Sequence, residues 1–226
     1  TQRYQETINF SEYEPKIKKL IDTHIGAKEV EQLSQPINLF DPNERLKVLE
    51  DQGKSAGAKA DMIASATRHV IEQEMFKDPV FYKKFSRILE DVLDSYHTGR
   101  ITALEALGKF KDISTKVVTH TDDDIPVELK GRDMARRYFG TVHEILGEYT
   151  TNNETPETQI ALLVAERITK HKIRDWHMNP DAINRMRGEI DDVLFEVIEE
   201  YGIHIPIEKH DAIIDRCIEI AIANEA

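Results

Sequence analysis

The sequence predicts an all-α fold, a multi-helix bundle of about eight helices divided into two helical sub-domains. Apolar residues recur at steps of three and four along most of the chain, the spacing that gathers side chains on one face of a helix. Average usage would give about 16 Gly and 11 Pro at this length, whereas the 226 residues hold 10 and 8, so long helices have room. Four of the prolines follow Asp, Thr or Asn, which pairs an N-cap with a first helical residue that needs no N–H.

Taken in order, Ser11 with Glu14 makes a capping box for a first helix whose buried stripe is Tyr13, Ile17, Leu20 and Ile21, and Gly26 ends it. Val30 and Leu33 suggest a short helix before Gln35-Pro36 breaks the chain. Asp41-Pro42 starts the next piece, anchored by Leu46, Val48 and Leu49. From Lys54 to Tyr96 two long amphipathic helices meet at Asp78-Pro79, where Asp78 is the N-cap of the second. The first carries Ala56, Ala60, Ile63, Ala64, Thr67, Val70 and Ile71, small enough in part for close helix approach. The second is lined by Phe81, Phe85, Ile88, Val92 and Tyr96, flanked by Tyr82, Leu89 and Leu93. After a stop at Gly99, the capping box of Thr102 and Glu105 opens a helix through Ala103, Leu104, Leu107 and Ile113.

Between Thr119 and Pro126 the chain turns polar, acidic and non-periodic. That stretch sets the expected boundary: residues 1–120 form one helical sub-domain, 120–126 the linker and 127–226 the C-terminal bundle. A helix is expected over Val127 to Leu146, with Met134, Tyr138, Val142 and Ile145 on one side. After a loop at Thr150 to Thr155, Thr155-Pro156 starts a helix that turns Ile160, Leu163, Val164 and Ile168 inward. Asn179-Pro180 launches another, with Ile183, Met186, Ile190, Val193, Val197 and Tyr201 in register and Gly202 as its end. A final helix from about Ile207 to Ala223 offers Ile213, Ile214, Cys217, Ile218 and Ile220 to an up-and-down bundle.

Composition limits function. Lys plus Arg less Asp plus Glu is 30 − 42 = −12, which disfavours non-specific DNA binding by the whole chain, because such binding rests on phosphate neutralisation. Cys217 is the only cysteine; it excludes an internal disulfide, suits a reducing compartment and reads as a small buried hydrophobe. No signal peptide and no apolar run near about 20 residues is present, so the expectation is a soluble, cytoplasmic protein with no membrane partner. The Thr1-Gln2-Arg3 start fits a fragment of something longer.

Motifs of bond chemistry are approached and missed. Gly53-Lys54-Ser55 has Val48 where a P-loop needs its first Gly, and it reads as an interhelical turn. Asp122, Asp123 and Asp124 with Glu128-Leu129-Lys130 imitate nuclease acids, yet they sit in a short loop interrupted by Pro126. His143-Glu144 has Gly147 at the place of the second zinc-binding histidine, and His171 and His177 lack supporting ligands. No catalytic, cofactor-binding or metal-binding residue is therefore assigned.

The candidate contact residues for a partner or DNA are Arg132, Arg136 and Arg137 on one helix, and Arg174 with Arg167, Lys170 and Lys172 separately. The same clusters are also what a solvated helix face looks like when Glu128, Asp133 and Glu166 balance it. Trp176 joins the candidates as an exposed anchor, against its other reading as the seal between two helices.

The run Gly57 to Thr67 followed by Asp78-Pro79-Val80-Phe81-Tyr82-Lys83-Lys84-Phe85-Ser86 resembles the C-terminal region of type I restriction enzyme R subunits. The likeness continues upstream through Phe10 to Ile17 and downstream through Trp176, Met186, Arg187 and Ile190, and is weakest from Thr119 to Lys130. The resemblance implies a helical module that joins the R subunit to a methyltransferase core, with methyltransferase and specificity subunits as partners and DNA reached through the parent complex. It also implies that ATP, magnesium, motor and nuclease belong to upstream domains, so that this fragment is no enzyme itself. Two other classes stay open: an autonomous DNA-binding helical module, and a free-standing metal-dependent hydrolase.

Overall fold

The computed structural model describes residues 37–150 and 156–225. The Ser11–Glu14 capping box, the helix expected up to Gly26, the pieces at Val30, Leu33 and Pro36, and the Thr155 cap lie outside the described residues. Among the described residues there are eight α-helices, two 3-10 turns and no strand, so the fold is all-α. The helices are α1 (Pro42–Glu50), α2 (Ala56–Glu74), α3 (Pro79–His97), α4 (Ala103–Thr119), α5 (Asp133–Leu146), α6 (Pro156–His171), α7 (Pro180–Glu200) and α8 (Ile207–Ala223). They group into two compact units. One holds residues 37–75 and 82–123, the other 76–81 and 124–225.

In the first unit the local signals behave as their chemistry requires. The Asp41 side chain accepts from Asn43 N–H at 2.8 Å with Pro42 opening α1. Thr102 and Glu105 form both halves of the capping box, at 3.3 and 2.8 Å. Gly99, with φ of +72°, lies just beyond α3, the left-handed conformation that glycine adopts without steric cost. Helix α2 buries Ala60, Ile63, Ala64, Ala66, Thr67, Val70 and Ile71 and packs against α4, which buries Ala106, Phe110, Ile113, Ser114 and Val117. Small side chains on both helices let the backbones approach. Gly57 works the same way, since a Cβ there would stand 2.8 Å from the Tyr96 hydroxyl.

Two stripes are displaced from their expected positions. Leu104 is 72% exposed and Leu46 49%. On α4 the buried positions 106, 110, 113 and 117 advance by four, three and four, and Leu104, two residues before the first, points to the opposite side. On α3 burial falls on Phe81, Tyr82, Phe85, Ser86 and Leu89, while Ile88, Val92 and Tyr96 are half-buried.

The second unit opens with residues 76–81. Asp78 is buried and accepts from Phe81 N–H at 3.1 Å, the predicted cap of α3. The Lys77 carbonyl accepts from Arg137 Nη1 at 3.2 Å and from Asn224 Nδ2 at 2.9 Å. Val80 lies against Gly140, where a Cβ would sit 3.2 Å from Val80 Cβ. The helix expected over 127–146 is divided: a 3-10 turn takes Val127–Leu129, and α5 begins only at Asp133. Gly131 causes the break, because its φ of +74° does not belong to a right-handed helix.

Helix α6 packs on α5 and α7, and α8 packs on α7 and returns to α5, closing a ring of four. Asn179 caps α7 by accepting from Asp181 and Ala182 N–H, with Pro180 following. Trp176, Tyr138, Met186, Ile160, Ile168 and Ile190 are among the side chains fully enclosed by this ring. Each large side chain so enclosed contributes about 1.5 to 3 kcal/mol of transfer free energy. No helix among the described residues is long and apolar enough to cross a membrane.

Candidate functional site

The start of α5 and the last turns of α6 leave an open groove of about 590 Å³ within the four-helix unit. Met134, Leu162 and Leu163 give it an apolar lining, and Arg132, Glu166 and Lys170 are among its polar groups. The chain reaches this arrangement because Gly131, with its positive φ, follows the 3-10 turn and leaves Arg132 as the exposed residue before α5. Arg132 and Lys170 belong to the two basic clusters that the sequence keeps separate, and they line one groove. Distance in sequence hides that meeting, since only the pairing of α5 with α6 produces it.

The other arginines of the first cluster are already engaged. Arg136 has a side chain only 14% exposed and donates to Asp133 at 3.2 Å. Arg137 donates to the Lys77 carbonyl.

The second cluster is organised by an acid that no local pattern singles out. Glu189 on α7 accepts from His171 Nε2 at 2.8 Å and from Arg167 at 3.3 Å, with Lys170 Nζ at 3.6 Å. The His171 hydrogen bond holds the Glu189 carboxyl below its ordinary range, and the charges of Lys170 and Arg167 add to that effect. Lys172 pairs with Glu225 and lies 5.5 Å from the centre of the Trp176 ring. Arg174 remains 95% exposed, with Asp175 at 3.6 Å. Most of this cluster is therefore a balanced helix face, and Arg174 projects from it.

Trp176 is a correction to the candidate contacts. It is fully buried, so its ring has no surface to offer a partner and instead seals the space beneath the α6–α7 connection. Asp175 supports that placement with φ of +55°, a left-handed turn that brings the chain back into the core.

The near-miss motifs are used structurally. Ser55 Oγ accepts from Ala58 N–H at 3.2 Å as the cap of α2, and Lys54 pairs with Asp51 in the same turn. Asp122 accepts two bonds from Lys84 Nζ, both at 2.7 Å, and Asp123 pairs with Lys116. Those carboxylates thus answer helix cations. His143 stacks on Phe139 with ring centres 5.4 Å apart, and Glu144 pairs with Arg216 at 2.8 Å. Among the described residues no three His, Cys, Asp or Glu side chains converge as metal ligands do. Burial pushes the Cys217 thiol up to about 12, far from the thiolate a nucleophile needs.

Sequence reasoning missed Leu162, Leu163 and Glu189. Leu163 reads as one more core position, and Glu189 lies 18 and 22 residues from its partners His171 and Arg167.

Neither a protein-family model nor a solved structure matches this chain. A protein of Methanocaldococcus jannaschii, provisionally named as the endonuclease subunit of the type I restriction enzyme MjaIXP, is 24% identical over 199 residues. The match covers 83% of this chain and 18% of that relative, so the chain spans less than a fifth of its length. The sequence is thus distantly similar to part of a type I restriction enzyme subunit.

Proposed function

We propose that this chain is the C-terminal assembly module of a type I restriction endonuclease R subunit, which docks the ATP-dependent translocase and nuclease onto the methyltransferase core. The observation that carries the reading is the proportion of the match: 83% of this chain is similar to 18% of a much longer endonuclease subunit. A helical part of that size suits a coupling role. Its mechanism is mechanical. Rigid packed helices transmit force without absorbing it, so a motor held through this module pulls DNA toward a fixed complex.

The side chains agree with a scaffold. The acids of the 119–126 stretch and the Gly53-Lys54-Ser55 turn stabilise helix ends and ion pairs. The methyltransferase and specificity subunits are the proposed partners, DNA is reached through them, and ATP and magnesium belong to upstream domains of the parent.

Binding decides the proposal. The purified 226-residue chain, immobilised and exposed to the methyltransferase core of its own system, is expected to retain that core after washing. Absence of retention under conditions where the full R subunit is retained removes the coupling role.

A further inference from the structure

We propose that the groove between α5 and α6 receives an amphipathic helix of a partner protein chain. Its volume is about 590 Å³. Its walls are two packed helices and it opens to solvent, which suits a third helix laid across them.

Leu162 points to an occupant. It lines the groove, stays half-buried and takes no part in the bundle core that encloses its neighbours. Met134 and Leu163 extend the same apolar strip while packing partly against that core.

The rim selects the chemistry of the partner. Arg132 and Lys170 stand with Asp133 and Glu166 around one groove. A phosphate chain laid there would meet both carboxylates, in a chain whose formal charge is already −12. Asp133 already meets Arg136 and Lys170 lies 3.6 Å from Glu189, so a protein helix with an apolar stripe, a carboxylate to meet Arg132 and a cation to meet Glu166 complements the rim. Charge complementarity of this kind fixes register and orientation more than it adds affinity; the affinity comes from large apolar side chains entering the groove.

The partner used to test this inference rests on the coupling role proposed above, and the outcomes separate the two. Calorimetric titration compares the full chain with its Leu162→Glu and Thr169→Tyr variants against the methyltransferase core. Leu162→Glu places a charge on the apolar lining. Thr169→Tyr fills the groove from an exposed position on α6 and spares the core. Both variants are expected to weaken binding by at least about tenfold while their far-UV spectra and melting curves match the parent chain. Exposed Phe195 lies outside the groove lining, and Phe195→Ser is expected to leave affinity unchanged. If the parent chain and both variants bind the core equally, the groove is not the docking site and the coupling role survives. If the parent chain does not bind the core, the coupling role and the groove assignment fall together. If the chain instead binds duplex DNA and Leu162→Glu abolishes that, the occupant is nucleic acid and the proposal is overturned.

Discussion

The α2–α4 pair and the α5–α8 ring solve the same packing problem with different shares of small and large side chains. Across α2 and α4 the buried faces include Ala60, Ala64, Ala66, Ala106 and Ser114, so the helices gain contact by approaching closely. In the ring, Trp176, Tyr138, Met186 and a set of isoleucines make up much of the interior. Small residues have a different consequence there. Ala135 and Ala165 line the groove beside Met134, Leu162 and Leu163, so part of the seam between α5 and α6 stays open to solvent. The contrast teaches that an alanine favours close approach only when its neighbours and the facing helix are small as well.

Removing the largest core side chain is the strongest test of that contrast. Trp176→Ala should cost about 3 to 5 kcal/mol in urea unfolding, because the ring leaves a cavity that the bundle refills only in part. A loss below about 0.5 kcal/mol, the usual scale of a surface substitution, would return Trp176 to the status of an exposed anchor.

Adding volume separates the two regions next. Ala64→Leu should cost about 1 to 3 kcal/mol, since a closely packed pair has no space for three more carbons. Ala165→Leu should stay within about 0.5 kcal/mol, because the groove accepts the added side chain. Equal costs for the two would erase the distinction between a closed seam and an open one.

Asp78→Ala addresses the turn that begins α3 and should cost about 1 to 2 kcal/mol through loss of the N-cap to Phe81. Chemical denaturation measures it, and Asp78→Asn, which keeps the capping oxygen, should recover most of the loss.

The smallest effect concerns Glu189. Glu189→Gln should cost less than about 1 kcal/mol near neutral pH, as expected of ion pairs close to the surface. Its carboxyl is held below the ordinary glutamate value of 4.5 in the folded chain by the His171 hydrogen bond. The stabilisation is therefore fully present above that value and is lost as pH falls through the lower folded one. Parent and Gln variant should converge in acid titrations of stability, and a difference that persists unchanged at low pH would show that the carboxylate charge is not its source.

Much of the fold is legible without coordinates because it depends on neighbours in sequence. A cap needs only an oxygen two or three residues before a free N–H, and Asp41, Ser55, Asp78, Thr102 and Asn179 each meet that condition within one turn. Face assignments follow from spacing, and Met186, Ile190, Val193 and Val197 on α7 are buried as their period requires. The failures have equally local causes. Leu104 and Leu46 are apolar residues that happen to lie off the face their helices bury, and Gly131 divides a helix whose apolar period runs straight through it.

The candidate site is legible in a different measure. Composition and position select Arg132, Arg136, Arg137 and Arg174 alike, and only the structure separates exposed Arg132 and Arg174 from half-buried Arg136 and Arg137; Trp176 likewise cannot be told from a surface anchor by pattern, because an aromatic between two helices serves either use.

By itself the sequence determined most helix starts, most of the buried stripes and the all-α class, since each follows from interactions that span a few residues. Tertiary structure alone decided that Trp176 faces inward, that Glu189 gathers Arg167, Lys170 and His171, and that Arg132 and Lys170 share a groove. Those outcomes depend on how helices far apart in the chain meet, and the side-chain volumes that set such meetings act together across the whole core.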